Sequence, residues 1–326
     1  MTLARRFAVL AGVIAALASP FALAQADKWP TKPVKLLVTF PPGGSSDIIA
    51  RLVAVPLGEK LGQPVIVDNR PGAGGTIGAA EVARAPADGY TLLVSNSAPV
   101  SISPFMLDKS PYDPVKGFNH VAYIGSVPNV FVVHPSVPAK NMAELVAWIK
   151  TQPKGVNYGS GGVGSIGHIV GETFAKENGL KMEHVGYRGS SPMHTDLLGG
   201  TILMAVDTLP QNVPYMKDGK LRGLAVTSTT RAAMSPDTPT VVELKMPKLV
   251  AENFIGISAP AGTPQPVVDK LYAAMTQVLA DPTVQKRLEE LGMAYRKMTP
   301  AEFNAFVAAQ VKDWEPAVRA SGAKLN

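Results

Sequence analysis

Two stretches of this sequence put glycines and hydroxyls at the point where a β-strand hands over to a helix. The first is Lys35-Leu36-Leu37-Val38-Thr39-Phe40-Pro41-Pro42-Gly43-Gly44-Ser45-Ser46-Asp47. The second is Val156-Asn157-Tyr158-Gly159-Ser160-Gly161-Gly162-Val163-Gly164-Ser165. A helix start leaves its first N–H groups without intrahelical partners and carries partial positive charge, so it attracts an anion. Glycine lets a ligand approach the backbone, and serine adds a hydroxyl donor and an N-cap. Gly43, Gly44, Ser45 and Ser46 are therefore ligand-binding candidates, and Ser160, Gly164 and Ser165 repeat the logic further along the chain. Each has a plainer reading: glycines that only make tight turns, serines that only cap, and an Asp47 that only complements the helix dipole. Tyr187 at a strand end suits either core or cleft wall, while Asp207 is a carboxylate in an unusual place, just after an apolar strand. On facing lobes the two loops would grip one small anion from both sides. Asp207 would then be the one charged side chain of the pocket and would need a donor from the ligand. Neither loop contains Lys or Arg, and Arg188, the one cation expected near the cleft, is expected to point to solvent.

Other chemistries find little support. Gly159, Gly161 and Gly164 fit the spacing of a dinucleotide fingerprint, but Glu183, the acid that would hold the ribose, falls at the start of its strand instead of the end. There is no Walker A sequence, no H-E-x-x-H and no cysteine, and the five His show no ligand spacing, so no cofactor and no metal are expected. Val163 stands where a G-x-S-x-G elbow around Ser165 needs glycine. One catalytic alternative stays open, a secreted hydrolase of a carboxylate substrate with Ser165 as nucleophile and His168 as base. Their i,i+3 spacing shares a helix face, but a third, orienting acid is missing. A sensor subunit of a signalling system would share every binding feature of a receptor.

The elements that must position these residues follow from the rest of the 326-residue chain. Arg5 and Arg6 precede an apolar run from Phe7 to about Ala18, and Ala22-Leu23-Ala24 offers a small-residue cleavage site, so residues 1–24 read as a signal peptide and the mature protein as periplasmic. Without Arg5 and Arg6 the formal charge of +6 becomes +4, from scattered residues with no basic cluster and no interleaved aromatics, so nucleic acid is not an expected partner. Short apolar strands alternate with amphipathic helical segments, which predicts α/β architecture. Strands are expected at 34–40, 65–68, 91–95, 121–125, 130–134, 156–158, 183–187, 202–206, 223–227 and 254–259. Helices are expected at 46–61, 76–84, 142–152, 165–178, 191–199, 212–218, 266–280, 282–291 and 300–320, with Pro56 kinking the first. The expected boundaries give a first lobe over 25–126, a second over 127–249, and a return to the first with C-terminal helices over 250–326. Ligand belongs outside the carboxyl ends of the strands, where both loops lie.

The run Val38 to Asp47 resembles the signature of the Bug receptors, the extracytoplasmic solute receptors of tripartite tricarboxylate transporters. So do Leu61 to Gly75, Ala87-Asp88-Gly89-Tyr90-Thr91-Leu92-Leu93, Ser160 to His168, His184-Val185-Gly186-Tyr187-Arg188-Gly189, and Ala259-Pro260-Ala261-Gly262-Thr263-Pro264. The likeness runs in order through nearly all of the mature chain. Pro56 and Gly186 depart from it, the latter standing where the family usually has proline. The resemblance implies a two-lobed periplasmic-binding-protein fold, type II-like, closing on a small carboxylate-bearing organic acid or amino acid. It also implies a non-catalytic, monomeric receptor that hands its solute to inner-membrane permease subunits. It adds Phe40, Gly75, Thr76, Ser95 and Asn96 to the candidate ligand-binding residues.

Overall fold

The computed structural model describes residues 29–325; the expected signal peptide lies outside the described residues. The first half opens with β1 (Val34–Val38), which pairs in parallel with β2 (Val65–Asn69) and β3 (Thr91–Asn96). Side chains alternate across a strand, so Leu36 and Val38 face one layer of helices and Leu37 the other. The first layer contains α1 (Ser45–Leu61), which buries Ile49, Val53 and Leu57. It also contains two later helices, named below. The opposite face packs Ala79 and Val82 of α2 (Thr76–Ala83). Helix α1 runs unbroken through Pro56 and ends at the left-handed Gly62, which satisfies the stop that glycine provides.

A single long strand, β4 (Phe118–Val133), then serves two sheets. Phe118–Pro128 pairs antiparallel with β9 (Glu252–Pro260), which in turn pairs with β3. Asn129–Val133 pairs instead with β7 (Met204–Thr208), and Val130–Val133 also with β8 (Arg222–Val226). The expected strands at 121–125 and 130–134 are thus one element. Pro128, a residue that usually interrupts strands, sits where the strand changes partners. The second half continues through α3 (Met142–Lys150), β5 (Val156–Ser160), α4 (Ile166–Asn178), β6 (Met182–Gly186), α5 (Ser190–Leu198) and α6 (Leu209–Lys217). Strand β5 lies parallel between β6 and β7. Leu145, Ile149, Ile169 and Phe174 fill one side of this sheet, and Met193, Leu197, Leu209 and Val213 the other.

The result is a two-lobed α/β fold in which the chain passes between the halves at Asn129 and again at Ala251. Thr227 ties these passages together, donating its N–H to the Asn129 carbonyl and accepting from Ala251 N–H, both at 2.9 Å. After β9, α7 (Gln265–Ala280) and α8 (Pro282–Glu290) return to the first core. The last helix, α9 (Pro300–Ser321), starts with a capping box between Thr299 and Glu302. It buries Phe303 and Val307 in the first half and Val318 in the second.

Candidate functional site

Where β1, β5, β6 and β7 end, the two halves enclose a cavity of about 190 Å³. Four helix starts line it: Gly44, Ser45 and Ser46 of α1, Ser165, Ile166 and Gly167 of α4, Gly189, Ser190 and Ser191 of α5, and Thr208, the cap of α6. The α1 cap is Gly44 in extended conformation (φ −76°, ψ 165°), with no side chain bonded to the first turn. The hydroxyls of Ser45 and Ser46 are therefore not used as caps. Helix α5 likewise begins without a side-chain cap. Only α4 has one, Ser165 Oγ accepting from His168 N–H at 3.3 Å. Each start carries roughly half a unit of positive charge, so together they make a field suited to an anion.

Asn129 adds a donor from the passage between the halves. It is 2% exposed and lines the cavity, and its Nδ2 has no hydrogen-bond partner. A buried donor left unpaired costs about 1–3 kcal/mol, and this amide is open to a group that enters the cavity. Asp207 is the carboxylate of the lining and is 5% exposed. Its oxygens accept from Ser190 Oγ at 3.0 Å and Asn212 Nδ2 at 3.4 Å, with His194 Nε2 at 3.7 Å. Burial pushes its pKa up, against the opposing pull of His194 and these hydrogen bonds. Asp207 is thus largely satisfied from within its own half. Nor is it the sole charged group: Arg188 lines the same cavity while remaining exposed.

Of the residues singled out from sequence, Phe40, Gly44, Ser45, Ser46, Asn96, Ser165 and Asp207 line this cavity. The others lie outside its lining. The Gly43 N–H donates to Asp47 Oδ2 at 2.9 Å, and its carbonyl accepts from Gln211 Nε2 at 3.1 Å, a contact that joins the halves. Asp47 is buried and bonded to Arg51 and Asn69, interactions that hold its pKa below the usual value despite burial. Gly75 packs against Thr39 and Pro99, and Thr76 Oγ1 donates to the Ala73 carbonyl at 2.8 Å. Ser95 accepts from Ser258 Oγ at 2.9 Å, deep in the first sheet. Tyr187 donates its hydroxyl to Asp196 at 2.7 Å. At Gly164 (φ +80°) a Cβ would meet Ser103 Oγ at 2.6 Å and Met106 Sδ at 3.3 Å, so this glycine permits a close chain approach.

Ser160 belongs to a small cluster behind α4. Its Oγ lies 2.7 Å from His184 Nε2 and accepts from Ser165 Oγ at 3.1 Å, while His168 stacks on His184 with ring centroids 3.8 Å apart. His168 Nδ1 accepts from Gly164 N–H at 3.2 Å. His168 Nδ1 is thus occupied by backbone, the serine hydroxyl points to another serine, and no hydrogen bond joins it to the imidazole. A Ser165–His168 relay is therefore not assembled. The sequence missed Asn129, Gln211 and the start of α5 as cavity residues, and it set Arg188 near the cleft without making it part of the lining. A buried Asn in an apolar strand was the available signal for Asn129, and a third strand-to-helix turn, Gly189-Ser190-Ser191, for the start of α5. A larger cavity of about 550 Å³ lies between the passages and α9, lined by Glu252, Arg296 and Trp314 among others, but no helix start faces it.

The family model described as "Tripartite tricarboxylate transporter family receptor" matches residues 49–323. Among curated relatives, the protein BugT of Bordetella pertussis is 35% identical over 327 residues, spanning 100% of both chains. Among solved structures, R. palustris Rpa4515 with adipate is 33% identical, with a TM-score of 0.85 over 91% of this chain and 99% of that one. MatC from Rhodopseudomonas palustris with bound malate is 29% identical, with a TM-score of 0.84 over 89% of this chain and 100% of that one.

Proposed function

The chain belongs to the tripartite tricarboxylate transporter receptor family, and from that premise we propose that it is a periplasmic receptor that closes on one small carboxylate-bearing solute and presents it to membrane permease subunits. The observation that carries this reading is the meeting of uncapped helix starts from both halves around the unpaired amide of Asn129. A carboxylate placed there accepts from backbone N–H groups, serine hydroxyls and Asn129 at once, all neutral donors with fixed directions. Such donors recognise the carboxylate and leave the remainder of the molecule to the other walls. The cavity volume, about 190 Å³, suits a compact acid and not a peptide or nucleotide, since an engineered cavity of roughly 150 Å³ takes up benzene.

Export fits the same reading. Residues 1–24 carry the features of a signal peptide, and among the described residues no helix is long and apolar enough to cross a membrane. The receptor reading is tested by thermal shift and calorimetry on residues 25–326 with a panel of mono- and dicarboxylates. A ligand in large excess over its dissociation constant is expected to raise stability by roughly 3–4 kcal/mol. Absence of any shift across the panel at millimolar concentration, with the protein folded, would refute it.

A further inference from the structure

We propose that His184 is a positioning residue for the cleft: it exchanges its Nδ1–H form for its Nε2–H form, through Ser160, when the Ser165 hydroxyl turns to a bound carboxylate. This rests on the carboxylate-receptor reading above. Ser165 has one hydroxyl hydrogen and two possible acceptors for it. Its oxygen already takes the His168 N–H as the cap of α4. Its hydrogen goes to Ser160 Oγ at 3.1 Å, behind the helix, although the residue lines the cavity. A carboxylate in the cavity receives that hydrogen bond only when Ser160 loses it. Ser160 is fully buried at the end of β5, so the loss leaves a lone pair that water does not reach, a cost unless another donor replaces Ser165.

The replacement donor is within reach. Around Ser160 Oγ stand the Gly162 N–H at 3.2 Å, the Gly162 carbonyl at 3.1 Å, the Ser165 hydroxyl at 3.1 Å and His184 Nε2 at 2.7 Å. A hydroxyl has one hydrogen and two lone pairs, so two arrangements satisfy it. In the first, Ser160 donates to Nε2 and accepts from Gly162 and Ser165, which puts the imidazole proton on Nδ1. In the second, Nε2–H donates to Ser160, and Ser160 turns its hydrogen to the Gly162 carbonyl. Gly162 and His184 then fill both lone pairs, and Ser165 is released to the cavity. His184 is half-buried, and among the described residues its Nδ1 has no hydrogen-bond partner, so solvent serves that end in either form. The choice is made at Ser160. One proton leaves Nδ1 for solvent and one enters at Nε2 from solvent, so the ring stays neutral. His168, stacked on His184 at 3.8 Å, does not share this freedom. Its Nδ1 accepts the Gly164 N–H at 3.2 Å, which fixes its proton on Nε2.

The experiment reads the imidazole nitrogens directly, by long-range ¹H–¹⁵N spectra of residues 25–326 at pH 7, free and with succinate, malate or adipate, whichever calorimetry shows to bind. The His184 signals are assigned by their absence from His184→Phe, or from His184→Gln should the first variant not fold. The wild type is expected to show Nδ1–H when free and Nε2–H when occupied. Ser165→Ala should show Nε2–H in both states, because Ser160 no longer accepts from residue 165, and should bind the acid about tenfold more weakly. His184→Phe should weaken binding by about threefold to tenfold in the wild-type background and by less than about twofold when combined with Ser165→Ala, since the histidine acts only through that hydroxyl. An unchanged His184 tautomer in the occupied wild type overturns the proposal alone. So does an equal effect of His184→Phe in the two backgrounds, which would make the ring a packing residue. A folded wild type that binds none of the three acids removes the carboxylate reading and this one with it.

Discussion

Asn129 is held by the fold through its backbone and not through its amide nitrogen. Its N–H donates to Thr227 Oγ1 at 2.8 Å and its carbonyl accepts from Thr227 N–H at 2.9 Å, while Nδ2 stays unpaired in a buried position. Function and stability should therefore separate at this residue. Asn129→Leu is expected to leave stability unchanged or raise it by about 1 kcal/mol, because a desolvated donor is removed at similar volume. The same change should weaken carboxylate binding by about tenfold to a hundredfold, the worth of a charged hydrogen bond. Thermal denaturation and calorimetry on one preparation decide it, and parallel losses in both would make Asn129 a structural residue. Three histidines set the acid limit of the fold. Burial brings His120 and His168 down to about 4, and burial with the neighbouring His168 brings His184 down to about 3. These groups are neutral in the folded protein, while the unfolded chain takes up their protons as the pH falls below about 6.5. The stabilisation is present near neutrality and is lost as pH falls from about 6.5 towards 4, at up to about 1.4 kcal/mol per pH unit for each group. Asp207, whose pKa is raised by burial, works in the opposite sense but is a single group. Melting temperatures between pH 7 and pH 5 should thus fall steadily, and a flat or rising profile would contradict the assignment.

At the scale of elements, the two glycine loops found in the sequence do reach the cavity, but they do different work there. Gly44 has ordinary extended angles, and a Cβ on it would meet nothing closer than the Pro41 carbonyl at 3.6 Å. Gly164 has φ +80°, and its neighbours are Ser103, Met106 and Gly74, which come from a different part of the chain. Gly44→Ala is accordingly expected to hold stability within about 0.5 kcal/mol and to lower affinity by narrowing the cavity. Gly164→Ala should cost about 1–3 kcal/mol through the left-handed backbone and the contact with Ser103. Denaturant midpoints with matched slopes would show this order, and the reverse order would mean that the roles are exchanged. Most elements were legible because periodicity is local: the apolar spacing of Ile49, Val53 and Leu57 announces α1 whatever surrounds it. The third helix start was legible as a helix but not as part of a site. Its place beside the other two is set by the pairing of β5 with both β6 and β7, and no short stretch of sequence encodes that pairing. Gly75, Thr76 and Ser95 show the complementary limit, since strand ends close in sequence to the site are still packed behind it.

For the molecule as a whole, the alternation of strands and helices was enough to give the α/β class and the family resemblance supplied the two lobes, while the means by which the lobes are joined was hidden. Proline usually ends a strand, yet β4 runs through Pro128 and exchanges one set of partners for another, so that a single strand belongs to both sheets. Helix α9 likewise contributes Phe303 to one core and Val318 to the other, a division that amphipathic spacing alone cannot express. With the rear of the molecule tied by β4 and α9, any relative motion of the lobes would fall on the cavity mouth. There Gln211 of α6 donates from Nε2 to the Gly43 carbonyl at 3.1 Å, while Thr208 Oγ1 donates to Gln211 Oε1 at 2.9 Å and fixes which end of the amide faces the other lobe. The loop on the far side is anchored in turn, Gly43 N–H on Asp47 and Asp47 on Arg51 and Asn69. A hydrogen bond of this kind contributes about 0.5–1.5 kcal/mol net, and it would be lost if the lobes parted. Removing it should therefore act on escape and not on entry. Gln211→Ala is expected to raise the ligand dissociation rate by about two- to tenfold with the association rate unchanged, as read by stopped-flow displacement of bound acid. If association slowed instead while dissociation held, Gln211 would be guiding the solute inward, and the contact with Gly43 would play no part in holding the cleft shut.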